Sequence, residues 1–172
     1  QDFALGLRIV GLALPAEIWG MLDPIGNLPR DPATAILDLK GKVALFGDIL
    51  SPEVAAMDSP PGELHALDID ELRLTAAGGA LTGAGGFTFD NSDLDTIPGL
   101  PRPTGAIDLQ LKGGNKLLDT LVSMGLLPAD EAGMVRMMMG LFGRPGDEPD
   151  SIVSRIEITP EGAILANGQR IQ

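Results

Sequence analysis

The chain has no cysteine, no tyrosine, one tryptophan and one histidine. Without cysteine there is no disulfide, no thiol nucleophile and no thiolate metal site. The absence fits an exported bacterial protein that avoids stray oxidation, although many cytosolic proteins share it. Aromatic residues make up 3% of the chain, so any core is aliphatic. Positive charge is scarce: 12 Lys and Arg stand against 24 Asp and Glu, a net charge of −12. So acidic a surface repels phosphate backbones, and nucleic acid is excluded as an expected partner. No basic helix is present to hold the chain on anionic lipid. No apolar run reaches the ~20 residues that cross a bilayer. No charged segment precedes the strand-like opening at Gln1, so no signal peptide is visible. We expect residues 1–172 to be a single domain, the C-terminal part of a longer exported protein.

What is present is alternation. The composition is 44% hydrophobic, with 23 Gly and 14 Pro in 172 residues, which means a core and frequent turns. Phe3, Leu5, Leu7 and Ile9 share one strand face, and the opposite face is also largely apolar apart from Arg8. That pattern predicts a strand covered on both sides or facing a ligand. A short helix with Pro15 at its first position should follow, carrying Ile18, Trp19, Met21 and Leu22. Over residues 33–47, Leu37, Leu39, Val43 and Leu45 oppose Asp38, Lys40 and Lys42, a half-buried strand. Residues 51–63 could hold one helical turn. Over residues 65–90 a hairpin is expected, turning at Gly78–Gly79. Leu67 and Ile69 are out of phase with Leu72 and Leu74, which predicts a bulge at Asp70–Glu71.

Another strand alternates Ile107, Leu109 and Leu111 with Asp108, Gln110 and Lys112. Asn115 should cap a helix over residues 116–124 that Gly125 stops. A second helix has Pro128 near its start, Asp130 and Glu131 in its first turn and Gly143 past its end. A final hairpin turns at Pro160–Glu161–Gly162. The expected class is α+β: a curved, mostly antiparallel β-sheet of about six to eight strands, with two to four helices packed on one face.

Few residues suggest chemistry. His65 lacks the elbow serine of a hydrolase triad and any cysteine that would complete a metal site. Asp90, Ser92, Asp93 and Asp95 crowd oxygen ligands into one loop, but the EF-hand spacing fails and Asx turns explain the same residues. Asp68, Asp70 and Glu71 read as a solvated strand face. Gly83, Gly85 and Gly86 lie within a strand, not at a phosphate-binding strand-to-helix turn, and would admit a close-packed helix or ligand. We therefore expect no enzyme, no catalytic residue, no cofactor and no metal. The segment 133–146 holds Met134, Met137, Met138 and Met139, four of the seven methionines. Thioethers alone, without His or Cys, make a poor copper site. Packing of these methionines against an aliphatic sheet is the leading expectation, and an apolar binding surface the next. The candidate binding residues are Trp19, Met134, Met138 and Phe142.

The runs GGALTGAGGFTFD, MGLLP, RMMMGLFGRPG and IEITPEGAILANGQRI resemble the C-terminal part of an uncharacterised family of exported alphaproteobacterial proteins. Long strands alternating with short helices are also similar, more distantly, to AsmA-like envelope proteins. The resemblance implies a longer chain with an N-terminal signal or inner-membrane anchor, and transfers no active-site residue. Together these features predict a non-enzymatic periplasmic module whose apolar surface takes a lipid-like ligand or another envelope protein. The alternative is an assembly domain that packs against an upstream segment or forms a homo-oligomer, with no small ligand.

Overall fold

The computed structural model describes residues 1–47, 62–97 and 100–172. The described residues form one open sheet of nine strands, every pairing antiparallel, with three helices. The strands are β1 (Asp2–Leu12), β2 (Ala33–Leu45), β3 (Gly62–Ala76), β4 (Gly79–Asp90), β5 (Arg102–Lys112), β6 (Arg144–Pro145), β7 (Ser151–Ile158), β8 (Ile164–Ala166) and β9 (Gln169–Arg170). They pair in the order β1-β2-β3-β4-β5-β7-β8-β9, and β6 pairs β7 off that path. The helices are α1 (Ala16–Leu22), α2 (Gly114–Ser123) and α3 (Ala129–Phe142). The helical turn expected near residues 51–63 lies largely outside the described residues. Nine strands exceed the expected six to eight because two short ones, β6 and β9, were not foreseen. Strand β9 follows an Asn167–Gly168 turn with φ of 52° and 81°, a strong hairpin signal that the sequence reading passed over.

The sheet is a chain of hairpins whose register keeps one face apolar. Leu7 faces Leu37, Leu37 faces Leu72, and Leu72 faces Gly83. Gly83 then faces Leu109, which faces Ser154. One row over, Leu74, Leu81, Leu111 and Ile152 stand side by side. Directly opposite residues project to the same side, so these rows make a single apolar surface across the sheet. The expected bulge is present: the pairings of β3 with both β2 and β4 skip at Asp70–Glu71. It returns Leu72 and Leu74 to the face that Leu67 and Ile69 occupy.

The β3–β4 turn falls at Ala77–Gly78, one residue earlier than expected. Ala76 pairs with Gly79, and Ala77 and Gly78 take φ of 51° and 83°. A two-residue turn with both φ positive matches the right-handed twist of the strands, so alanine accepts the strain.

The other face is polar and laced with ion pairs. Arg8 bonds Asp38, Lys40 meets Asp70, Arg73 meets Glu71, and Arg155 meets Asp108. Ile36 is an apolar residue on this face, lying between Arg8 and Arg73 in the register. It is nevertheless buried. The aliphatic stems of flanking arginines suit such a residue.

Burial is otherwise thin. Among the described residues the buried hydrophobic side chains are Ile36, Ala132 and Ala166. The accessible surface is 10972 Å², against roughly 8,000 Å² for a compact protein of 17.9 kDa. The excess is what a single-layer sheet produces. It also corrects one of the two readings of β1: among the described residues the strand is not covered on both sides. It is an edge strand, with Leu5, Leu7, Val10 and Leu12 each more than half exposed.

Candidate binding surface

Helix α3 sets how the apolar face is used. Ala132, Arg136, Met139 and Phe142 are its less exposed positions, spaced as one helical stripe. Ala132 is fully buried. Met139 and Phe142 line an open hollow of about 570 Å³ with Leu109, Leu111, Ile152 and Ile156. Gly143 allows the approach, since a Cβ there would overlap the Ile152 side chain. One methionine of the four is thus turned to the sheet. Met134, Met137 and Met138 are 58%, 67% and 48% exposed. The expectation that the methionines pack as core holds for Met139 and fails for the other three. The physical reason is helical period: Met137 lies on the side of the helix opposite Met139, and Met134 and Met138 lie about 100° or more around from it, on the flank of the stripe.

Trp19 lies elsewhere. It lines a smaller hollow, about 260 Å³, with Leu12, Leu14, Leu22, Leu28 and Leu126. The four candidate residues are therefore not brought together. Phe142 is at the sheet-facing hollow, Trp19 at the α1 hollow, and Met134 and Met138 are exposed on α3.

A residue that sequence reasoning missed organises the Trp19 region. Asp23 is fully buried just after α1. Its carboxylate accepts from the backbone N–H groups of Gly26 at 3.0 Å, Asn27 at 2.9 Å and Leu28 at 2.7 Å. The Leu28 bond does most to lower the Asp23 pKa, against the opposing effect of burial. Arg30 donates to the Asp23 carbonyl and stands over the Trp19 ring. The signal was legible as an Asx turn in the run Asp23-Pro24-Ile25-Gly26-Asn27.

The start of α2 also differs from expectation. Gly113, with φ of 71°, holds the cap position, and the helix begins before Asn115. The capping carboxylate comes from far along the chain. Asp150 accepts from the backbone N–H of Asn115 and of Lys116, each at 3.0 Å, and from the Asn115 side chain. Burial pushes the Asp150 carboxyl up, and these hydrogen bonds outweigh it, so its pKa lies below the ordinary value. Arg136 of α3 reaches Asn115 and Asp119, which ties the two helices together. The end of α2 is as expected: Leu126 N–H bonds Leu121 and Gly125 N–H bonds Val122, with Gly125 at φ of 72°.

The remaining constellations resolve into structure. In the Asp90–Asp95 loop, Asp90 accepts from Ser92 and from Arg102, while Asp93 accepts from Asp95, Thr96 and Arg102. The Ser92 hydroxyl lowers the Asp90 pKa most, and the Thr96 N–H does so for Asp93. The guanidinium sits where a cation would, and the described residues contain no cluster of three or more metal-type ligands. His65 lies within β3 and is half exposed, with Glu63 and Asn91 as its neighbours. Asp70 is paired with Lys40 and Glu71 with Arg73. A hollow of about 710 Å³ on this polar face is lined by such opposite-charge residues, including Asp108 and Arg155. The face is open, and each of these carboxylates stands beside a basic partner. At Gly83 and Gly85 the close neighbours are the adjacent strand β5. A Cβ on Gly83 would meet the Leu109 side chain, and one on Gly85 would overlap the Ala106 carbonyl, both from β5.

The described residues thus define an open antiparallel-sheet protein with one apolar face, largely exposed at its β1 end. The chain belongs to DUF2125, a family described as an uncharacterized protein conserved in bacteria, whose pattern matches residues 1–165. The match covers nearly the whole chain, not only the C-terminal runs that carried the resemblance. No curated protein and no solved structure matches the chain.

Proposed function

We propose that this chain is a non-enzymatic module of the bacterial cell envelope that binds a lipid-like molecule along the apolar face of its sheet. The observation that carries the reading is that face itself. It runs unbroken from Leu5 and Leu7 through Leu72 and Leu109 to Ile156, and its β1 end is largely exposed. Contiguous exposed apolar surface of this kind marks interaction sites in soluble proteins. Removing it from water is worth about 25 cal/mol per Å², so hydrocarbon chains would bind with little polar specificity. In this reading the sheet curves around its apolar face, and the helices lie on that face as a partial roof. Phe142 and Met139 then mark one end of the ligand path, while Trp19 flanks the other hollow. Met134 and Met138 would meet a second surface, such as another envelope protein.

A periplasmic location, with an inner-membrane anchor upstream, suits the missing cysteines and the resemblance to exported alphaproteobacterial chains. The likeness to AsmA-like proteins is of the same standing: an open antiparallel sheet with a greasy side. Native mass spectrometry and lipid extraction on protein purified from its natural host test the reading. Co-purifying lipid that Leu109→Gln reduces supports it. A ligand-free protein that takes up no phospholipid from vesicles overturns it. The exposed edge strand favours the second reading, an assembly domain without a small ligand.

A further inference from the structure

We infer that β1 pairs with β1 of a second copy across a two-fold axis at Leu5, joining two sheets into one. The inference does not rest on the ligand reading. It starts from the backbone. Gln1 and Val43 exchange both main-chain hydrogen bonds, at 2.7 and 2.9 Å. Odd-numbered residues of β1 therefore turn their N–H and C=O groups toward β2. Asp2, Ala4, Gly6 and Arg8 turn theirs outward, to an edge that no strand pairs among the described residues. Sheets protect such edges with proline, charge, bulges or short length. The opposite end of the sheet does so, with β9 two residues long and Pro145 in β6. Strand β1 has neither proline nor an irregularity before Val10–Gly11, where its register shifts.

The sequence of β1 is complementary to itself in one register. Aligned antiparallel with Leu5 opposite Leu5 of the copy, Asp2 falls opposite Arg8 and Arg8 opposite Asp2. Ala4 falls opposite Gly6, and Phe3 opposite Leu7. Shifting by two residues either way loses the Asp2–Arg8 match. In this register the outward groups of residues 2, 4, 6 and 8 are the ones that bond. Asp2 and Arg8 share the polar face of the sheet, and Phe3, Leu5 and Leu7 share the apolar one. An axis perpendicular to the sheet keeps both apolar faces on the same side, so the two surfaces become continuous.

The cysteine-free chain makes the register testable. Leu5 would form a non-hydrogen-bonded pair with its copy, Cα atoms about 4.5 Å apart, within disulfide reach. Under mild oxidation Leu5→Cys should cross-link to itself almost completely. Phe3→Cys alone should not, and Phe3→Cys mixed with Leu7→Cys should give the mixed dimer. Sedimentation velocity should show a dimer. Ala4→Pro should abolish it, because this substitution removes an outward N–H and leaves the bonds to β2 intact. Should Ala4→Pro fail to fold, the contrast between Leu5→Cys and Phe3→Cys still decides. A chain that stays monomeric at all concentrations without Leu5→Cys cross-linking overturns the proposal. Equal self-cross-linking of Phe3→Cys and Leu5→Cys also overturns it, and so does occupation of the β1 edge by a different strand.

Discussion

At the β5–β7 end of the sheet, Leu109, Leu111 and Ile152 share a hollow with Met139 and Phe142 of α3. At the β1 end, Leu5 and Leu7 occupy the same face and are more than half exposed. The alternation of the strands is alike at both ends. The difference lies in what the chain does next. After β5 it folds two helices, pinned by Asp150 at the α2 start and by Arg136 between α2 and α3. After β1 it makes one short helix that turns beside Leu12, Leu14 and Leu28. The same strand pattern therefore lines a hollow beside α3 at one end and is open surface at the other.

Placing a charge at each end gives the largest contrast. Leu111→Asp, next to Gly114 and facing Ile152, should cost about 3 kcal/mol in urea unfolding. Leu7→Asp should stay within about 0.5 kcal/mol while reducing uptake of a hydrophobic dye or lipid. Equal losses would mean that the β1 end is covered in solution.

Removing the pin at the start of α2 comes next. Asp150 holds a positive φ of 50°, so Asp150→Ala loses a cap and adds backbone strain, together about 2 kcal/mol. The effect should depend on pH. The Asp150 pKa is lowered in the folded chain, as are those of Asp23, Asp90 and Asp93. A lowered folded value stabilises above the unfolded pKa of about 3.9 and is lost as pH falls through the folded one. Thermal melts from pH 6 to pH 2 should therefore show stability falling below about pH 4. Asp150→Ala should flatten part of that fall. A fall unchanged in the variant would show that the Asp150 contacts are not formed in solution.

The smallest effect tests the meander between the two ends. Ala77→Gly should raise stability by roughly 1 kcal/mol, because glycine takes φ near 51° without strain. A loss in calorimetry would place the turn elsewhere.

Much of this architecture was legible in the chain. Alternation located β2 and β5, and the phase slip at Asp70–Glu71 located the bulge. Glycine at 125 and 143 marked the helix ends. Other features were hidden for identifiable reasons. The cap of α2 comes from Asp150, 35 residues away from Asn115, and no local pattern carries such a contact. Trp19 and Phe142 looked like one apolar set, yet they line separate hollows. Met134 and Met138 looked like packing residues because hydrophobicity has no direction until a helix is docked.

The sequence by itself determined the strands, their apolar and polar faces and the turns, because side-chain period and positive-φ residues act locally. Only the tertiary structure decided which end of the apolar face has Met139 and Phe142 beside it, and which described strand is an edge. Those outcomes depend on where α2 and α3 are pinned by residues distant in the chain.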